Sequence, residues 1–362
     1  MKKVLFYTFA LIMVIAFMAG CSGNQTETPS SSVQPSSQPS SQPATEQPSE
    51  TPAQTVTISI GYVNNPGEPV DLGCQKWAEL LEERTNGAMK LVLYPSSQLG
   101  SMTDVYDMAM ANDAVIAYGH NGFYADLGVP ELNAMYAPYL LNSWDDFEKI
   151  ANSDWAKEKL QELETIGLKV VSGNWHYGVR QTLTKIPINS INDLKGLKIR
   201  IPNSTAQITG YKCLGAVPTP MNLSEVYTAL QQGTIDGLEN PVDVLYNGKY
   251  QEIAKYLTMT HHMYNDASWS VGMGFWNSLT PEQQTALLET GKEAEEYFNS
   301  IAEKAADDAL NAMKVEGVQV ADIPSDLDTA AVTEAYFNSP EWADWPDDPN
   351  SVMDELLAII NG

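Results

Sequence analysis

Arginine is rare in this sequence, and its positions are the most informative chemical feature. Only three of the 20 basic Lys and Arg residues are arginines, at Arg84, Arg180 and Arg200. Arg180 ends a Gly-x-Arg segment, and Arg200 ends a short run typical of a strand. A guanidinium is a planar fork that holds a carboxylate through two parallel hydrogen bonds, which the point charge of Lys cannot do. Arg180 and Arg200 therefore either bind an acidic ligand or form salt bridges with some of the 46 acidic residues.

The rest of the chemical inventory argues against a catalytic or cofactor-dependent protein. The sequence has no GxSxG, HExxH, P-loop or strand-linked GxGxxG motif. His261 and His262 are adjacent on a predicted strand and would point to opposite faces, so a shared metal is not expected. The acidic cluster at 344–348 lacks the spacing of a calcium loop and is typical of a solvated loop. We expect no cofactor and no metal.

Charge and cysteine content exclude further classes. The formal net charge is −26, which disfavours nucleic acid and anionic lipid headgroups as direct partners. Three cysteines are too few for a disulfide scaffold. Cys74 and Cys213 lie on predicted helices, where buried free thiols are favoured and a mutual disulfide stays open.

The first 55 residues indicate export and tethering. A basic start and an apolar run from Val4 to Ala19 predict a signal peptide over 1–20, too short for a comfortable membrane span. Small residues before Cys21 are similar to the lipoprotein cleavage box, which predicts a lipid on Cys21. An uncleaved membrane anchor is the alternative. Residues 21–55 are rich in Ser, Pro and Gln and are expected to form a disordered tether.

The remaining chain begins with a β–α–β–α–β alternation of patterns, which predicts an α/β fold with a largely parallel sheet. Thr280-Pro281-Glu282-Gln283 begins a helix with a capping box, and no breaker follows before Gly317. Such a helix is about 54 Å long, so it is expected to lie across two hinged lobes. Strands are predicted at 56–60, 89–94, 114–118, 168–173, 179–184, 197–201, 256–260 and 267–273, and helices near 74–81, 104–111, 204–213 and 222–232.

Three segments carry a family resemblance. They are LYPSSQLGS at 93–101, DLKGLKIRIPNS at 193–204 and CLGAVPTPMNLSEVYTALQQGTIDGLENP at 213–241. Together they closely resemble the DctP-type solute-binding proteins of tripartite ATP-independent periplasmic (TRAP) transporters, and the similarity covers nearly all of 56–362. The resemblance implies a two-lobed, type II-like periplasmic-binding-protein fold with a hinge and a long helix spanning both lobes. Lobe I is expected to comprise 56–177 plus about 266–305, and lobe II 178–265 plus about 306–362.

The resemblance also implies a ligand site. Arg200 is expected to form the main salt bridge to the ligand carboxylate, Arg180 to add donors and Asn240 to hydrogen-bond the same group. Asn203 is expected to add a polar contact, and Leu223 stands where relatives often have an aromatic ring that packs on the ligand. Selectivity contacts from lobe I are predicted at Tyr62, Asn64, His120, Asn121 and Tyr124, and Trp175 and Tyr177 are either an aromatic wall of the site or core residues.

The function that follows is a lipid-anchored, extracytoplasmic, monomeric receptor. It binds a small organic acid and delivers it to an integral-membrane permease with a small and a large subunit. Dicarboxylates, keto acids, sugar acids and amino acids are all compatible with one Arg clamp. The alternatives are a secreted α/β hydrolase using carboxylates such as Glu225 and Asp236, and a ligand-sensing domain for a membrane kinase.

Overall fold

The computed structural model describes residues 55–362. The predicted signal peptide, Cys21 and the tether up to residue 54 lie outside the described residues. Within the described part of the chain, no helix is both long enough and apolar enough to cross a membrane.

One mixed nine-stranded sheet organises the described residues, with strand order β2-β1-β3-β8-β4-β7-β5-β6 and β9 beside β8. The first half of the sheet is parallel from β2 to β3, and the second half is parallel from β7 to β6. Antiparallel pairs of β8 with β3, of β4 with β8 and of β4 with β7 join the two halves. The strands are β1 Val56–Gly61, β2 Met89–Tyr94, β3 Val115–Gly119, β4 Leu168–Thr184, β5 Lys198–Ile201, β6 Val217–Pro220, β7 Gly237–Pro241, β8 Tyr256–Gly272 and β9 Gln319–Asp322.

Helices cover the sheet, so the predicted α/β class is confirmed. The α-helices are α1 Pro69–Arg84, α2 Met102–Met110, α3 Asn121–Leu127, α4 Trp144–Ala151, α5 Asp154–Thr165, α6 Thr205–Cys213, α7 Val226–Gln232, α8 Val242–Asn247, α9 Met273–Ser278, α10 Pro281–Val315, α11 Thr329–Phe337 and α12 Pro349–Asn361. Short 3₁₀ turns at Pro130–Tyr136 and Leu223–Glu225 lie beside α3 and before α7.

Two long strands replace four predicted short ones. The expected pairs 168–173 with 179–184, and 256–260 with 267–273, are the single strands β4 and β8 of 17 residues each. The prediction was wrong because it ended a strand wherever the alternating pattern failed. The structure instead absorbs these irregularities as register shifts between Val170 and Thr182. Each strand spans about 55 Å and therefore runs through both halves of the sheet.

Helix α10 is the second connection between the halves. It has 35 residues, about 52 Å, and it begins with the predicted box, in which Thr280 Oγ1 accepts from the Gln283 N–H at 3.3 Å. Leu287 and Phe298 pack in the core of the first half. Ala309 and Met313 pack in the core of the second half. The predicted helix across both halves is confirmed.

The C-terminal helices contact the first half of the chain. Tyr336, Trp342 and Leu356 share one apolar cluster with Tyr124 and Phe147. The segment from about 306 was predicted to belong to lobe II, whereas this contact ties its end to elements of lobe I. The lobe boundaries remain a prediction.

The two cysteines of the described chain are not paired. Cys74 is buried in α1, and Cys213 is half-buried at the end of α6. Burial raises the pKa of both thiols, which keeps them in the unreactive thiol form.

Gly178 allows β4 and β7 to approach closely. Its φ is +142°, and a Cβ at this position would lie 2.6 Å from the Cβ of Pro241. Pro241 pairs with Arg180 across the two strands. The glycine therefore sets the spacing of two strands that carry predicted site residues.

We predict that Gly178→Ala lowers the free energy of unfolding by about 1–3 kcal/mol, because the new methyl group overpacks against Pro241 in an unfavourable backbone conformation. Gly196→Ala is the control, since Gly196 has φ +80° but nothing within 4 Å of its Cβ position. It should cost only about 1 kcal/mol of backbone strain. Equal losses of stability in urea titrations of the two variants would contradict the packing argument.

Candidate ligand-binding site

A cavity of about 260 Å³ lies where the two halves of the sheet meet. Tyr118 and His120 reach it from the end of β3, Arg200 from β5 and Asn240 from β7. Ligands of open α/β sheets bind at this edge, beyond the carboxyl ends of the strands. The other lining residues are Val63, Ser97, Gly100, Ser101, Met102, Thr103, Phe123, Tyr177, Arg180, Pro202, Asn203, Gln207, Met221, Asn222, Leu223, Ser224 and Asn265.

Arg200 is a buried cation whose charge no carboxylate balances. Its side chain is 3% exposed, and its Nε and Nη2 both donate to the Met221 carbonyl, at 3.0 and 2.7 Å. No carboxylate of the described residues lies within salt-bridge distance of it. Burial lowers its pKa to about 10, so it stays charged at neutral pH. Three of its five N–H donors are left for a ligand.

Arg180 also lines the cavity, but most of its donors are used within the protein. Its Nε and Nη2 hold the Glu239 carboxylate in a two-pronged salt bridge, and its Nη1 donates to Asn265 Oδ1 at 2.6 Å. Nη2 also donates to the Glu239 carbonyl at 3.1 Å. One N–H remains for a ligand, and the charge is already neutralised. The two arginines therefore differ. Arg180 forms a salt bridge within the protein, whereas Arg200 has no carboxylate partner among the described residues and can bind a ligand.

A chain of hydrogen bonds fixes Glu239 in position. His262 Nε2 lies 3.3 Å from Glu239 Oε2, and its Nδ1 lies 2.9 Å from the Thr260 hydroxyl. Thr260 is joined to Thr182 at 3.1 Å, and Thr182 to the Tyr211 hydroxyl at 2.6 Å. Burial raises the pKa of Glu239, but the charge of Arg180 and the His262 hydrogen bond lower it to about 2. Glu239 is therefore ionised at every physiological pH.

Two amide side chains that line the cavity have hydrogen-bonding atoms without a partner among the described residues. Asn240 is 3% exposed, and its Oδ1 has no partner. Gln207, in the first turn of α6, is 1% exposed, and neither Oε1 nor Nε2 has a partner. Asn240 was predicted, whereas Gln207 was missed. The signal that points to it is its place one helical turn beyond the Ile-Pro-Asn-Ser run that follows Arg200.

Four more of the predicted site residues line the cavity, namely His120, Asn203, Leu223 and Tyr177. His120 Nδ1 accepts from the Phe123 N–H at 3.1 Å. Burial and the charge of Arg180 lower the pKa of His120 to about 3, so the ring is neutral. Leu223 and Tyr177 give the cavity apolar surface, which makes it amphipathic rather than uniformly polar.

Tyr62 and Trp175 do not line the cavity. Tyr62 is 2% exposed and donates from its hydroxyl to Asp71 Oδ1 at 2.6 Å. Trp175 is fully buried, and its Nε1 donates to Ser172 Oγ at 2.8 Å. Both rings pack against Trp269 in the core of the first half. For Trp175, the core alternative of the prediction fits the structure.

Asn64, Asn121 and Tyr124 lie near the cavity without lining it. Asn64 donates hydrogen bonds to Glu68 and to the Tyr177 hydroxyl, at 2.7 and 3.2 Å. It therefore helps to position Tyr177, which lines the cavity. Asn121 and Tyr124 line a separate small cavity of about 40 Å³. The prediction selected residues at strand ends, but side-chain direction decides which of them face the ligand space.

The acidic residues considered for a hydrolase have structural roles. Glu225 Oε2 accepts from the Asn222 N–H at 3.1 Å, and Asp236 Oδ2 accepts from the Lys198 N–H at 2.9 Å. Neither lines the cavity. Asp348 of the C-terminal acidic cluster caps α12. Over residues 55–362, no group of three or more His, Cys, Asp or Glu side chains is arranged to hold a metal.

The family model for bacterial extracellular solute-binding protein, family 7 (DctP), matches residues 60–342. The chain belongs to this family. It is 32% identical over 283 residues to the 2,3-diketo-L-gulonate-binding periplasmic protein YiaO of Escherichia coli (strain K12), an alignment that covers 78% of this chain and 85% of that protein. DctP-family proteins are solute receptors of transporters rather than enzymes, so the receptor interpretation is confirmed and the hydrolase alternative is not favoured.

Solved structures of TRAP periplasmic solute-binding proteins share the fold. The protein from Ochrobacterium anthropi with bound L-fuconate has a TM-score of 0.78 and 37% identity, covering 85% of this chain and 100% of that one. The protein from Actinobacillus succinogenes with bound L-galactonate has a TM-score of 0.78 and 36% identity, covering 84% and 100%. This DctP-family chain is therefore a two-lobed extracytoplasmic receptor for a small acid, and such receptors work with membrane permease subunits.

We predict that Glu239→Gln lowers the free energy of unfolding at pH 7 by about 3–5 kcal/mol, because it leaves Arg180 as a second unbalanced buried charge. The pKa of Glu239 is lowered in the folded state, so its contribution is complete above the ordinary Glu range and is lost as the pH falls toward 2. The gap between wild type and variant should therefore shrink below about pH 4.5.

The control is Glu293→Gln, which removes an exposed partner of Arg84 and should cost at most about 1 kcal/mol. Denaturant titrations at pH 7 and pH 3 measure both variants. A Glu239→Gln loss no larger than that of Glu293→Gln would show that the buried pair does not hold the site together.

Proposed function

We propose that the ligand is a small organic acid whose carboxylate binds the free donors of Arg200. The observation that carries this proposal is the buried, unpaired guanidinium. A charge removed from water is costly unless a partner replaces its hydration. A carboxylate in the cavity supplies that partner, and charge-assisted hydrogen bonds contribute about 1.5–3 kcal/mol each. The free Oδ1 of Asn240 cannot donate to a carboxylate, but its Nδ2 can, as can the remaining N–H of Arg180.

The charge balance of the cavity favours an acid with one carboxylate. Its lining contains two arginines and no Lys, Asp or Glu. Glu239 neutralises Arg180, and His120 is neutral, so the site offers one net positive charge. A second carboxylate would lose its hydration without gaining a cation. Among the relatives, the bound L-fuconate and L-galactonate are acids of the favoured charge.

Closure of the two lobes around the acid completes the proposed mechanism. β4, β8 and α10 run through both halves of the structure, so bending of these elements is the available hinge motion. Closure excludes water and strengthens the bond to Arg200. The closed, loaded receptor would then present the acid to the small and large permease subunits. A sensor role beside a membrane kinase is the alternative fate of the same complex.

We expect Arg200→Ala to weaken binding of L-galactonate or L-fuconate by roughly 30-fold to several thousand-fold, since loss of one partner of a buried charge pair costs about 2–5 kcal/mol. Arg200→Lys should also bind poorly, because the planar fork is lost. Isothermal titration calorimetry measures both variants. Arg84→Lys is the control, since Arg84 is exposed and pairs only with Glu289 and Glu293. An Arg200→Lys affinity within threefold of wild type would overturn the assignment.

We also propose that the protein is a monomer tethered to the membrane by a lipid on Cys21, with 22–55 as the spacer. The support is the sequence pattern around Cys21. Cys21→Ser should move the protein from the membrane fraction to the soluble fraction without changing ligand affinity. Retention of the variant in the membrane fraction would favour the uncleaved anchor instead. Analytical ultracentrifugation of the soluble variant tests the monomer, and a dimer would refute it.

A further inference from the structure

Gln207 stands apart from the other amide side chains of the cavity. Buried amide groups are nearly always hydrogen-bonded, and each exception calls for a reason. Asn265 follows the rule, because its Oδ1 accepts from Arg180 and its Nδ2 donates to Tyr136 and to the Asp266 carbonyl. Gln207 is 1% exposed, and both ends of its amide lack a partner. Its hydrogen-bonding capacity is therefore unused among the described residues, and the residue lines a cavity that a ligand can fill.

Gln207 and the proposed carboxylate clamp belong to different elements of the fold. Arg200 is the third of the four residues of β5, and Gln207 lies in the first turn of α6, the next element of the chain. Both side chains line the same cavity. A ligand whose carboxylate is held by Arg200 therefore extends its body into a cavity that Gln207 and Asn240 also line.

The chemistry of an amide restricts what that body can be. Gln207 offers an acceptor and two donors at adjacent atoms, so a hydroxylated carbon chain, whose groups both donate and accept, satisfies both ends. A hydrocarbon chain satisfies neither end, and a keto oxygen only accepts. A second carboxylate also only accepts, and it would find no second free cation.

We propose that Gln207 is a specificity-determining residue that binds hydroxyl groups of the ligand, and that the receptor selects polyhydroxylated monocarboxylates, the chemical class of aldonates. This inference rests on the proposed carboxylate clamp at Arg200 and extends it to the rest of the ligand. Sites built to hydrogen-bond a hydroxyl discriminate strongly against analogues that lack it, because the buried polar groups are then left unpaired.

Calorimetry with L-galactonate, L-fuconate, hexanoate and adipate tests the proposal. Wild type should bind at least one aldonate more than 100-fold more tightly than hexanoate or adipate. Gln207→Leu should weaken aldonate binding at least 30-fold and leave hexanoate binding within threefold. The melting temperature of ligand-free Gln207→Leu should be at or above that of wild type, because an unpartnered buried amide is removed. Gln207→Met, of similar volume and shape, carries the same expectations and is the second variant if Gln207→Leu does not accumulate.

Thr209→Val is the matched control. Thr209 lies on the same helix, is fully buried and has an unpartnered hydroxyl, but it does not line the cavity. This variant should likewise keep or raise the melting temperature, and it should leave aldonate affinity unchanged. If the buried polar groups of α6 had only a structural role, Gln207→Leu and Thr209→Val would have the same affinity for aldonates.

The outcomes separate the two proposals. If Gln207→Leu and Gln207→Met bind aldonates like wild type while Arg200→Ala does not bind, the hydroxyl-recognition inference is wrong and the clamp stands. If the wild-type protein binds hexanoate or adipate more tightly than the aldonates, the hydroxyl-recognition inference is also wrong and the clamp stands. If Arg200→Ala binds acids as well as wild type does, the clamp itself is wrong.

Discussion

The site depends on one electrostatic constraint, which is that a guanidinium is buried without a carboxylate to balance it. Among the described residues, Arg200 has only the Met221 carbonyl as partner, so the protein keeps a costly group in its interior. In the proposed complex, the carboxylate of the ligand offsets that cost, and lobe closure strengthens the bond by excluding water. The protein has a net charge of −26, which repels anions. A local cation can still bind an anion, because the repulsion from distant acidic residues is screened over about 8 Å.

The residues around Arg200 leave it as the one unbalanced charge of the cavity lining. Arg180 lies in the same cavity, but Glu239 neutralises it, and the hydrogen-bonded chain from His262 to Tyr211 holds Glu239 in place. Burial keeps His120 neutral. The cavity therefore presents one net cation together with amide and hydroxyl groups, which matches an acid that has one charged end and a polar, uncharged body.

Much of the local structure was predictable. The strands at 56–61 and 89–94, the capping box at Thr280 and the long helix α10 follow from patterns that lie close together in the sequence. The long strands β4 and β8 were not predictable, because bulges break the alternating pattern and only pairing with distant strands shows that each is continuous. Among the predicted site residues, Arg200, Asn240 and His120 line the cavity, whereas Tyr62 and Trp175 are core residues that pack against Trp269.

By itself the sequence determined the α/β class, the family resemblance, the pattern typical of an export signal and two arginines as candidates for the ligand site, since each rests on residue types at short, fixed spacings. Only the tertiary structure decided which arginine is free. Arg180 forms hydrogen bonds with Glu239 and Asn265, which are 59 and 85 residues away in the sequence. No local sequence pattern predicts such contacts. Gln207 was missed for the same reason. Its amide is seen to lack a partner only when the packing of α6 and all nearby side chains is known.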